Sequence, residues 1–290
     1  QVLSWRQESF TLLQHKDRKK VTQKQDINQR NRPPDATKRF GTGSGAALST
    51  GFSELDQALG LGGYPRGQIC EIYGPPTCGK TSLLLRAIAA AQHAGSICAF
   101  IDGDHSLDAT QATRNRVNSQ ELYISEPASC EQALETTLLL ANSGALDLIA
   151  VDTLSALPMQ ADLNAKLDSG RQETSPNRSK RYISQAIWRL SKICKNTGTT
   201  VLISNQLRHK SNRLYHEGAT TTAPLALKMH AAVRLEMEPW MPGQHANDIV
   251  PPGIRGEQAT NSLRVRIHII KNKFTPKKGY INLIIMYNHE

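Results

Sequence analysis

The chain has 290 residues, 35 Lys and Arg against 25 Asp and Glu, and a formal net charge of +10. No apolar run approaches the length of a membrane-spanning helix, so a membrane is not among the expected partners. Five cysteines, odd in number and with no C-x-x-C pair, suggest neither a disulfide framework nor a zinc site, and fit a reduced, cytoplasmic protein. The excess positive charge favours a polyanionic partner.

Residues 1–40 hold ten Lys/Arg against four Asp/Glu, so most of the net charge lies at the start. The stretch from His15 to Arg39 is polar, carries Pro33-Pro34 and reads as a flexible basic arm. Val2, Leu3, Trp5, Phe10, Leu12 and Leu13 could form a short docking helix before it. Gly41-Thr42-Gly43-Ser44-Gly45 reads as a linker. Residues 1–48 are therefore expected to be an arm and linker, and residues 49–290 a catalytic core.

The core opens with a β-type run at 68–73. Gly74-Pro75-Pro76-Thr77-Cys78-Gly79-Lys80-Thr81 follows, and a helical pattern occupies 81–94. Strand, G-x-x-x-x-G-K-T loop and helix start are the context of a phosphate-binding loop. Its backbone N–H groups and the helix dipole would cradle the phosphates of ATP. Lys80 would reach the β- and γ-phosphates, and the hydroxyl of Thr81, followed by Ser82, would hold Mg²⁺. Cys78 inside the loop would make its thiol a probe of nucleotide occupancy.

A strand at 97–102 ends in Asp102-Gly103-Asp104-His105, where a carboxylate could polarise the water that attacks the γ-phosphate. After a strand at 121–125 and a helix at 131–143, the apolar run 147–152 ends in Asp152. That is the usual place for the carboxylate that orients Mg²⁺. A helix at 179–196 carries an apolar stripe of Ile183, Ile187, Leu190 and Cys194, read as core. Further strands are expected at 199–204, 231–237, 263–270 and 280–286, with residues 239–262 as a long surface loop. The alternation of strands and helices predicts an α/β fold with a mostly parallel sheet and ligands at the carboxyl ends of its strands.

Two stretches read as nucleic-acid contacts. Leu207 to Thr222 contains Arg208, Lys210, Arg213 and the aromatic Tyr215, a mixture suited to phosphates and bases. The interval from Met159 to Lys180 adds Lys166, Arg171 and Arg178.

Several segments resemble the bacterial RecA recombinase family: the Ser49–Gly60 stretch, Glu71-Ile72-Tyr73-Gly74-Pro75, Cys98-Ala99-Phe100-Ile101-Asp102, Ser204-Asn205-Gln206-Leu207-Arg208, Thr220-Thr221-Thr222 and Lys271-Asn272-Lys273. The resemblance implies a RecA-like core and an ATP-dependent ATPase. Such a protein forms filaments on single-stranded DNA, also meets double strands, and acts in recombination and repair. It implies that Asp104 stands where the family has its catalytic glutamate and that Gln206 senses the γ-phosphate. It places Asp108 near the adenine, and Lys271 and Lys273 across a subunit interface from a neighbour's ATP. Asp104 is one methylene shorter than glutamate, and Gln111 stands where the family has an aromatic. These departures leave two other readings: a slowly hydrolysing accessory paralogue and a hexameric helicase-type motor.

Overall fold

The computed structural model describes residues 47–163, 176–208, 220–221, 225–240, 262–276 and 279–286. In it, β1 (Ala47–Leu48) pairs antiparallel with β2 (Tyr64–Pro65), with α1 (Ser53–Leu59) between them. The main body follows as β3 (Ile69–Gly74), α2 (Lys80–His93), β4 (Cys98–Asp102), α3 (Ala109–Arg114), β5 (Leu122–Ser125) and α4 (Cys130–Asn142). It continues with β6 (Leu148–Asp152), α5 (Gln160–Leu163), α6 (Pro176–Thr197), β7 (Thr200–Arg208) and β8 (Thr220–Thr221). The last elements are α7 (Leu225–His230), β9 (Val233–Pro239), β10 (Ser262–Asn272) and β11 (Gly279–Met286).

One sheet runs in the order β11-β10-β9-β3-β7-β6-β4-β5. Pairing is parallel from β9 through β5, and antiparallel among β9, β10 and β11. Every residue of β3, β4 and β6 is buried, as a strand covered on both faces requires. On one face Leu83, Leu84 and Ile88 of α2 join Leu55 and Leu59 of α1 against the sheet. On the other, α4 and α6 pack together. Ile187, Leu190 and Cys194 are buried there and Ile183 is partly buried, so the predicted apolar stripe of α6 is core.

The expected fold class is therefore observed. Boundaries moved by one to four residues, and two of the shifts have a clear cause. β7 runs to Arg208 instead of stopping at 204, because Leu207 and Arg208 find antiparallel partners in Thr221 and Thr220. β9 runs to Pro239, and Trp240 is buried with its N–H donating to Arg264 (3.1 Å), so the segment expected to be surface loop begins later. The short helices α1, α3, α5 and α7 were not expected. With four to seven residues each, they are too brief to show a period.

The strand registers build the site. Gly74 and Gln206 are paired on adjacent parallel strands, as are Asp102 and Asp152. Val151 pairs with Ile203, so the Asp102–Asp152 pair lies two residues short of the Gly74–Gln206 pair along the same edge of the sheet.

Candidate functional site

Two glycines give the 74–81 loop its shape. A Cβ on Gly74 would lie 2.3 Å from the carbonyl oxygen of Met237 and 2.8 Å from Cys78 Sγ. Gly79 has φ of +87°, the left-handed region that favours glycine, and a Cβ there would strike Leu263 at 2.8 Å. Gly79 is also the N-cap of α2 and lends it no side-chain cap, so the first-turn N–H groups are not met by a capping side chain. Lys80 folds back over the loop, its ammonium donating to the carbonyls of Pro75 (2.6 Å) and Gly74 (3.3 Å). Cys78 departs from expectation. It is fully buried beneath the loop with Sγ 3.7 Å from Lys80 Nζ, and burial pushes its thiol pKa up. A thiol so placed has to be uncovered before it can be alkylated.

Asp152 is buried, and each of its carboxylate oxygens accepts from a hydroxyl. Its Oδ2 accepts from the Thr81 hydroxyl at 2.5 Å, and its Oδ1 accepts from the Ser204 hydroxyl. Burial raises its pKa, opposed by those two hydrogen bonds and by Lys80. Asp102 is also buried, and burial together with the neighbouring Asp104 lifts it to about 6. Its two oxygens accept the backbone N–H groups of Ser106 (3.3 Å) and Leu107 (3.0 Å). Asp104 is exposed, with one oxygen accepting from the Ser106 hydroxyl at 2.7 Å.

A cleft of about 360 Å³ joins these parts. Pro76, Thr77, Gly79, Lys80, Thr81 and Ser82 line it from the loop and helix start; Asp104, Asp152 and Gln206 face them from three other strand ends. Its lining combines the Lys80 ammonium and a helix N-terminus without a side-chain cap with the carboxylates of Asp104 and Asp152, the latter beside the Thr81 hydroxyl. That donor set fits a nucleoside triphosphate and a divalent cation: N–H groups and ammonium for phosphate oxygens, Thr81 and Asp152 for a hard metal ion such as Mg²⁺. The cation would stabilise negative charge on the phosphates.

Residues 41–290 match the family described as RecA N-terminal domain. The chain belongs to the RecA family. Protein RecA of Deinococcus radiodurans is 41% identical over 240 residues, covering 83% of this chain and 62% of the relative. Protein RecA of Desulforapulum autotrophicum is 38% identical over 240 residues (83% and 65%), and that of Corynebacterium diphtheriae 35% over 261 residues (90% and 63%). The chain thus spans slightly less than two thirds of the length of these curated relatives.

Other expected residues of this RecA-family chain lie elsewhere. Gly74, Pro75 and Cys78 shape the loop without lining the cleft. Asp108 caps α3, its carboxylate accepting from Gln111 N–H at 2.5 Å, and it too is outside the lining. Gln111 does line the cleft, and its Oε1 is buried with no hydrogen-bond partner. Lys271 and Lys273 do not line the cleft of their own chain. Lys271 donates to the carbonyls of Lys228 (2.7 Å) and Met229 (2.9 Å), and Lys273 to that of His230 (3.3 Å), so together they cap the C-terminal end of α7. Partial burial lowers both pKa values; repulsion from Lys273 and Arg234 adds to it at Lys271, and repulsion from Lys195 at Lys273. Lys166, Arg171, Lys210, Arg213 and Tyr215 fall outside the described residues. The backbones of Arg178 and Arg208 lie at the start of α6 and the end of β7. Sequence reasoning missed Thr153, which lines the cleft, and Ser204 and Ser106, which hold Asp152 and Asp104. Only their nearness to the acidic strand ends and to Gln206 could have pointed to them.

Proposed function

We propose that this chain is an ATP-dependent ATPase that binds single-stranded DNA, forms filaments on it, and acts in cytoplasmic homologous recombination and repair. The observation that carries this is the single cleft where Lys80, Thr81, Asp152, Asp104 and Gln206 converge from four strand ends, in a chain of this family. Residues 49–290 are taken as the core and 1–48 as a basic arm. Lys80 binds the β- and γ-phosphates, and Thr81 with Asp152 orients Mg²⁺. Asp104 takes a proton from water as the water oxygen bonds to the γ-phosphorus and the bond to the β-phosphate oxygen breaks. Gln206 couples the γ-phosphate to DNA held by Arg208, Lys210, Arg213, Tyr215, Lys166, Arg171 and Arg178, with double strands as a second partner. Lys271 and Lys273 serve a neighbour's ATP, which accords with their absence from the lining of their own chain's cleft. ATP hydrolysis measured with and without an unstructured oligonucleotide tests the reading. Turnover should rise with single-stranded DNA, and electron micrographs with a slowly hydrolysed ATP analogue should show open helical filaments. Closed rings would favour a helicase-type motor, and DNA-independent residual turnover an accessory role.

A further inference from the structure

We propose that Ser106 is a positioning residue for hydrolysis, its hydroxyl holding the carboxylate of Asp104 toward the cleft. This rests on the reading of Asp104 as the base. Asp104 sits on a turn fixed at both ends. At one end the Gly103 N–H donates to the Asp152 carbonyl at 2.6 Å, and a Cβ on Gly103 would lie 2.9 Å from the Thr153 oxygen. At the other, the buried Asp102 carboxylate accepts the N–H groups of Ser106 and Leu107. Between them His105 takes a φ of +55°, a left-handed turn that brings the chain back over Asp104. Ser106 therefore arrives with its backbone tied to one carboxylate and its hydroxyl donating to the other at 2.7 Å. An aspartate has one rotatable bond fewer than a glutamate, so its reach depends more on what holds it. Free of Ser106, an exposed Asp104 beside Asp102 would swing between rotamers, and few would serve a water in the cleft.

The test is a cycle of four full-length proteins: wild type, Ser106→Ala, Asp104→Asn and the double variant, with Ser106→Thr as a fifth. Hydrolysis of ATP with Mg²⁺ and an oligonucleotide gives kcat, and calorimetric titration with ADP and Mg²⁺ gives binding. Ser106→Ala should lower kcat roughly tenfold, the worth of one hydrogen bond to a charged group. ADP affinity should stay within about twofold, and Ser106→Thr, which keeps the hydroxyl, should retain most of kcat. In the Asp104→Asn background the alanine change should have no further effect. Undiminished kcat in Ser106→Ala, or failure of threonine to rescue, overturns the role of Ser106 while an inactive Asp104→Asn leaves the base assignment standing. Wild-type turnover in Asp104→Asn removes both.

Discussion

Lys80 is the only side-chain cation lining the cleft among the described residues, and in the present geometry its ammonium is satisfied by loop carbonyls. Exchanging those carbonyls for phosphate oxygens is what nucleotide binding asks of it. Lys80→Ala removes that charge with no replacement nearby, so ATP turnover should fall by roughly two orders of magnitude. Near-normal turnover in a coupled ATPase assay would refute the phosphate-loop assignment. Asp102 makes a different prediction, about stability. In the folded chain it keeps its proton up to about 6, against about 4 for an unfolded aspartate. Over that window the folded state binds more protons, so this group's contribution to stability is full below about pH 4 and is lost as pH rises through about 6. Relative to Asp102→Asn, the wild type should lose stability between those values and hold a constant difference above them, as read from urea midpoints at several pH values. Motif residues such as Lys80, Thr81 and Asp152 were legible because their chemistry demands fixed spacing along the chain. Ser106 and Ser204 were not, since a serine earns its partner only when the turn or the neighbouring strand is folded.

At the scale of elements, α7 has only six residues and ends under Lys271 of β10 and Lys273 just after that strand. Cations at a helix C-terminus stabilise it by about 0.3–1 kcal/mol each. Lys271→Ala/Lys273→Ala should therefore lower the thermal midpoint slightly and loosen α7, visible as faster amide exchange at residues 225–232. The proposed service to a neighbour's ATP makes a separable demand. Mixed with Lys80→Ala chains, which keep both lysines, the double variant should regain part of its turnover. If amide exchange changes but mixed filaments stay inactive, the lysines are caps alone. The central strands β3, β4 and β6 were readable as runs of apolar residues because they are buried on both faces. The short helices were not, and the extension of β7 to Arg208 depended on a partner strand twelve residues further on, which no local pattern announces.

The whole molecule carries +10, and the DNA reading turns that into a measurable slope. Arg208→Ala and Arg213→Ala should each reduce the dependence of log affinity on log salt by roughly one unit for a lost phosphate contact. Tyr215→Ala should instead weaken binding to single strands by about 1–3 kcal/mol with the slope unchanged. Slopes equal to wild type in both arginine variants would mark the segment as solvated charge.

The register of β3 against β7 sets how quickly the two ligands could hear of each other. Gly74 and Gln206 stand opposite on neighbouring strands, and just behind them Asn205 and Arg234 both donate to the buried Glu71, at 3.1 and 2.5 Å. That tie binds β3, β7 and β9 into one stiff floor, so news of a nucleotide need cross only a single inter-strand gap, about 4.8 Å. No domain has to swing. Relaxation at Gln206 should then be faster than the microsecond-to-millisecond scale of hinge closure. With a fluorophore at residue 209, stopped-flow mixing should give a rate that climbs linearly with ATP concentration. A plateau at high ATP would reveal a slow rearrangement between the two sites.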